Sequence, residues 1–254
     1  MRLTIKTTFK IHFFFYVVAF IAFLTGLFKD FVIFTSIIFI HELGHIIAAL
    51  ICKWKIEKVI ILPFGGITIF NELVNSSLKK ELIIVLFGPL FQCLFFYLVG
   101  RNNHIFSNMH YAILLFNLLP IYPMDGAKIL NIVFNKLFSF KFSNILNIII
   151  SYIVIVLIVI IGIINRMNIL FLLIIMFLFK KVIEEHTNLS IIFNKFLLER
   201  HLYNFNFKRK KRIKRVSEMQ KSKEHLFYIA GKYKKEKEIL AKRFAEKSQK
   251  KYDI

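Results

Sequence analysis

Residues His41-Glu42-Leu43-Gly44-His45 lie in the middle of an apolar run, Phe31–Ile51, long enough to cross a bilayer. Two histidines four residues apart project from one helical face and can hold a divalent metal such as zinc. The glutamate, one step round, is placed as a general base for water. Three ionisable groups inside an apolar span are expensive, and such groups mark functional sites. The motif therefore predicts a membrane helix carrying hydrolytic metal chemistry. The competing reading is a satisfied pair of buried histidines with no metal.

The rest of the chain agrees with a membrane setting. It is 57% hydrophobic, with 31 phenylalanines among 254 residues, unlike any soluble single domain. Six spans are expected: His12–Phe28, Phe31–Ile51, Leu82–Gly100, Met109–Pro123, Ile145–Ile164 and Asn168–Phe179. Lysines and arginines cluster before the first span, after the second and fourth, and after the sixth. The alternate connections hold one each, Lys29, Arg101 and Arg166. By the positive-inside bias, both termini are cytoplasmic. The first span lacks a small-residue cleavage site and is expected to stay in place. The fold class is thus an all-α, polytopic membrane protein. Its two cysteines, Cys52 and Cys93, suit neither a disulfide framework nor a thiolate metal site.

Two histidines do not complete a catalytic zinc site, which usually takes three protein ligands and leaves a position for water. The candidate third ligand is Asp125, in Asn117-Leu-Leu-Pro120-Ile-Tyr-Pro123-Met-Asp125-Gly126. The two prolines and Gly126 break a helix there, and unwound backbone is tolerated at membrane depth where it lines a cavity. Ordinary turn chemistry is the rival role for Asp125. Asn117 either orients substrate backbone or makes an interhelical hydrogen bond.

These motifs, with Pro63-Phe64-Gly65-Gly66 between them, resemble the site-2 protease family of intramembrane metalloproteases. The order and spacing are most similar to the branch that processes the precursor of the sporulation sigma factor K. The resemblance covers roughly residues 10 to 200. It implies zinc ligands His41, His45 and Asp125, with Glu42 as base. It also implies a membrane-dipping hairpin in which Gly65 and Gly66 face an extended, membrane-associated protein substrate. Inhibitory membrane partners and the mother-cell membrane around the forespore are implied in the same way. A plain turn is the alternative for the glycine pair.

From Glu199 onward there are 19 Lys/Arg against 7 Asp/Glu, which holds 12 of the 21 excess positive charges. The expected division is a protease domain over residues 1–198 and a basic cytoplasmic tail over 199–254. About 55 residues fall short of the complete two-motif, nucleotide-sensing CBS module of that sporulation branch, so the tail is expected to be a truncated CBS-like region or partly disordered. Lys208–Arg215 points to anionic lipid or substrate docking rather than nucleic acid, because aromatic residues are not interleaved with its charges; a solvated tail is the rival reading. His12, His104, His110, His186, His201 and His225 are expected to be interfacial or solvated. Three rivals remain: a housekeeping site-2 protease acting on anti-sigma factors or signal-peptide remnants, a non-catalytic scaffold, and a protease using Glu184 or Glu185 as third ligand. No interval can house the PDZ domain common in the housekeeping enzymes, and a scaffold has no need of Glu42.

Overall fold

The computed structural model describes residues 8–11, 13–62, 65–165, 169–207, 209–229 and 231–252. His12, Pro63, Phe64, Arg166 and Lys208 lie outside the described residues. The chain packs as two units, one made of residues up to Glu72 with Lys79–Leu119, the other of Leu73–Leu78 with the residues from Pro120 onward.

The first unit holds strand β1 (Thr8–Ile11), helices α1 (Phe13–Leu24) and α2 (Phe28–Ile51), strands β2 (Ile56–Leu62) and β3 (Gly65–Phe70), and helices α3 (Leu78–Phe95) and α4 (His104–Asn117). In α2 the buried positions are Ile37, Ile38, His41, Gly44, His45, Ala48 and Ala49, a single stripe at three- and four-residue spacing. Small residues along it let α3 come close. A Cβ on Gly44 would lie 2.4 Å from the Phe87 carbonyl oxygen, so the backbones touch as in small-xxx-small membrane packing. A π-turn over Phe96–Gly100 ends α3, and Asn103 caps α4 by accepting from the amides of Ile105 and Phe106.

The fold is mostly helical as expected, and the expected hairpin is present as β2 and β3, but β1 joins it to make a three-stranded sheet in the order β1, β2, β3. Strand β2 runs parallel to β1 and antiparallel to β3, with Ile60 opposite Ile67 and Ile61 opposite Gly66. The β-branched run Val59-Ile60-Ile61 in Ile56–Leu62 favours a strand.

The second unit holds α5 (Asp125–Leu137), α6 (Phe140–Ile164), α7 (Ile169–Leu202), β4 (Lys210–Ile213), β5 (Glu224–Ile229), β6 (Lys232–Lys235) and α8 (Glu236–Tyr252). Helix α6 carries a buried polar stripe, Ser143, Asn144, Asn147 and Ser151, on an otherwise apolar helix. The Asn131 amide of α5 donates to Asn144 Oδ1, and the Tyr122 amide donates to Ser151 Oγ. The residues after Leu202 build a second sheet, ordered β4-β5-β6, backed by α8. Its core is Phe140, Phe193, Phe196, Leu197, Ile213, Met219, Phe227 and Leu240. Phe140 and Phe196 stack at 4.3 Å, and a fully buried phenylalanine is worth roughly 1.5–3 kcal/mol.

Among the described residues, α2, Leu78–Gly100 and α6 are long and apolar enough to cross a membrane. Their outer faces stay uncovered by protein; on α6, Ile153, Val156, Leu157, Ile163 and Ile164 are all exposed. The other three expected spans differ. Helices α1 and α4 have 12 and 14 residues, about 18–21 Å of helix against a hydrocarbon layer of about 30 Å. Helix α7 runs on through Lys180, Lys181, Glu184 and Glu185.

Candidate metal centre

The α-helical repeat brings His41 and His45 to the same face of α2, with their Nε2 atoms 3.1 Å apart and both residues buried. His41 Nδ1 lies 2.9 Å from Gln92 Oε1, and His45 Nδ1 lies 2.8 Å from the Ile84 carbonyl oxygen. A carbonyl oxygen can only accept, so each Nδ1 carries its ring's proton. In a neutral ring that leaves Nε2 as the ligand atom, and the two Nε2 atoms lie side by side. The donor set fits zinc, which binds neutral imidazole through nitrogen while the other ring nitrogen is hydrogen-bonded behind it. With Glu42, the three groups place their ligand atoms within 4.8 Å of one another.

The half-buried Glu42 faces β3. Thr68 Oγ1 donates to Glu42 Oε2 at 3.1 Å, and a Cβ on Gly66 would lie 2.4 Å from Glu42 Cγ and 2.5 Å from Cδ. Only glycine fits at position 66 without moving the carboxylate. The Gly66→Ala protein is therefore expected to keep its bound zinc and to cleave at least about tenfold more slowly, since misplacing a reacting group by about 1 Å is that damaging or worse. Metal analysis beside a cleavage assay checks this; zinc lost together with activity would contradict it.

Helix α3 closes the other side. A Cβ on Gly88 would lie 2.3 Å from His45 Nε2 and 2.9 Å from His41 Nε2. Sequence reasoning missed Gly88, Gln92 and Thr68. A Gly-Pro step inside an apolar run was an available signal for the first, and a lone amide in such a run for the second.

The structure brings His41, Glu42, His45 and Gly66 together. Gly65 opens β3 opposite Leu62, and Asn117 is the last, half-buried residue of α4. Asp125 belongs to the second unit, where it is the first residue of α5, buried, with Lys128 Nζ 3.0 Å from Oδ1. The N-cap of α5 is Met124.

Two of the six other histidines are not interfacial or solvated. His110 is buried against Gln92, with its ring stacked on Phe96 at 4.3 Å. His225 is also buried, between the Gln220 amide and Glu236. In both cases neighbouring groups satisfy both the ring and its burial, which spacing along the chain does not reveal.

Residues 30–102 match the family model described as Peptidase family M50. Stage IV sporulation protein FB of Bacillus subtilis is 30% identical over 203 residues, which covers 75% of this chain and 70% of that protein. A zinc metalloprotease of Methanocaldococcus jannaschii is 30% identical over 121 residues, 42% of this chain and 34% of that one. The solved structure of a site-2 protease from Methanocaldococcus jannaschii superposes with a TM-score of 0.55 at 22% identity, covering 73% of this chain and 93% of that one.

Proposed function

Since the chain belongs to peptidase family M50 and lies close to stage IV sporulation protein FB, we propose that it is a zinc-dependent intramembrane endopeptidase of the site-2 type. The observation that carries this reading is the imidazole pair of α2, held in the metal-ready tautomer beside Glu42 within an apolar helix.

As the family resemblance implies, His41, His45 and Asp125 would hold the metal. Bound zinc supplies Lewis acidity toward the scissile carbonyl and makes water a better nucleophile near neutral pH. Glu42 takes the proton from the attacking water as its oxygen adds to the carbonyl carbon. As the C–N bond breaks, Glu42 passes that proton to the leaving nitrogen. Thr68 holds Oε2 and so directs the other carboxylate oxygen toward the water. Strand β3 pairs with β2 along one side, which supports adding an extended substrate along its other edge at Gly65 and Gly66. Asn117 orients the substrate backbone.

The substrate is a membrane-associated precursor cut near the cytoplasmic face, with the sigma-K precursor as the specific candidate; the 30% identity to a sporulation protein supports it. In this reading the chain crosses the membrane six times with both termini cytoplasmic, in the mother-cell membrane around the forespore. Membrane proteins keep it inactive until a signal arrives. Residues 1–198 are the protease domain and 199–254 the cytoplasmic tail. The tail contacts anionic lipid through the sheet face bearing Lys210, Arg212 and Lys235, opposite the buried Phe227.

The test is co-expression with a tagged sigma-K precursor. Wild type is expected to cleave it. Glu42→Gln is expected to cleave at least about a hundredfold more slowly with zinc retained, and Asp125→Asn to lose both zinc and activity. Cleavage that survives Glu42→Gln would overturn the mechanism, and a zinc-loaded wild type that leaves this precursor intact would overturn the substrate.

A further inference from the structure

Gln92 is completely buried in the middle of α3, in a segment otherwise made for a bilayer. A buried amide in such a place is costly unless its groups are paired, and here they are. Oε1 lies 2.9 Å from His41 Nδ1 on α2; Nε2 donates to the His110 carbonyl oxygen on α4 at 3.0 Å and lies 3.4 Å from His110 Nδ1. One side chain thus joins three helices of the first unit.

We infer that Gln92, held in orientation by His110, is a positioning residue that sets the metal-binding tautomer of His41. An amide can be turned over, exchanging its oxygen and nitrogen. Turned over, Gln92 would set its oxygen against the His110 carbonyl oxygen, two acceptors at about 3 Å, and aim N–H groups at His41 Nδ1. His41 would then be driven to carry its proton on Nε2, where no metal can bind. The His110 carbonyl excludes that arrangement. His110 is in turn fixed by its near-parallel stack on Phe96, at 4.3 Å and 9°, in the π-turn that ends α3. A π-turn inside a helix is a frequent companion of functional sites. His45 needs no such device, because its Nδ1 meets a main-chain carbonyl that cannot be turned over.

This inference rests on the zinc reading, and the test separates the two. Zinc affinity is measured on purified full-length protein by competition with a chromophoric chelator, and cleavage is followed as a function of free zinc. Gln92→Leu is expected to bind zinc about 10–100-fold more weakly, the usual effect of removing a group that supports a histidine ligand. Its half-maximal activity should shift to correspondingly higher free zinc. Gln92→Glu, protonated at this buried position so that its O–H donates to the His110 carbonyl oxygen, keeps an oxygen for His41 Nδ1 and is expected to recover most of the affinity. A role in packing alone predicts that Leu, close in size and at home in the bilayer, does no worse than Glu. Equal zinc affinity for wild type and Gln92→Leu would overturn the inference, as would equal weakening by Leu and Glu. If Gln92→Leu fails to fold, the comparison of Gln92→Glu with Gln92→Met decides in the same way. A wild type that binds no zinc would instead sink the metal reading beneath it.

Discussion

Gly88→Ala is expected to give a membrane-inserted protein with no detectable zinc and no detectable cleavage. One methyl group does this because it falls where the ligand atoms are. Its carbon would lie 2.3 Å from His45 Nε2 and 2.4 Å from Cε1, against an ordinary contact of about 3.5–4.0 Å. Helix α3 cannot back away without cost, because the Phe87 main chain already rests on Gly44 of α2, and Ile84 packs with Ala48 and Ala49. The rings cannot rotate freely either, since the Ile84 carbonyl and Gln92 hold their far nitrogens. Metal analysis of purified Gly88→Ala protein, beside circular dichroism to verify its helices, checks the result. Normal zinc content would mean that the ligand pair sits differently against α3.

Arg200→Met is expected to lose about 3–5 kcal/mol from the C-terminal module, the usual penalty for removing one partner from a buried ion network. The guanidinium is buried and donates to Asn75 Oδ1 and to the carbonyl oxygens of Gln220, Lys221 and Lys223. Glu236 lies 3.6 Å away, and the Phe207 ring lies 4.0 Å below. Burial pulls its pKa down to about 10, opposed by the charges of Glu236 and Glu224. Methionine matches the stem but takes one donor away from each of four oxygens. If the module opens and closes quickly relative to cutting, its proteolysis should rise about a hundredfold to a few thousandfold. Trypsin is unsuitable in so basic a segment, and a glutamate- or aromatic-directed protease on full-length protein in detergent gives the measurement. Lysine should rescue only part, since it lacks the planar fork that serves several acceptors at once. Unchanged cutting of Arg200→Met would show that the network adds nothing to the module's stability.

The sequence made the α2 site legible because its signals are local. A four-residue histidine spacing is fixed by the helix itself, and the run predicted as Phe31–Ile51 differs from α2 by three residues at one end. The fifth span likewise ends at Ile164, where α6 ends. What escaped depends on contacts between elements. The family resemblance anticipated a hairpin at Gly65 and Gly66, but not that it would be joined by the distant β1, whose Thr8 pairs with Lys58 of β2. Gln92 has no periodicity to announce it, and its meaning appears only once His41 and His110 stand on either side. Arg200 looked like one of 19 positive charges in a tail, yet it is buried at the foot of a folded module.

The clasp at the end of α7 also orders events in time. The Glu199 carboxylate accepts from the Val74 and Asn75 amides, and Asn75 Nδ2 donates to the Phe196 carbonyl, across sequence separations of 121 to 125 residues. Helix α3, which carries Gly88 and Gln92, begins three residues after Asn75. Ribosomes add about 5–20 residues per second, so roughly 6–25 seconds pass between the synthesis of that strap and the arrival of the groups that hold it. During this interval the zinc-binding motif exists while the start of α3 is untied. Residues made more than 120 positions later therefore help determine when the strap before α3 is held.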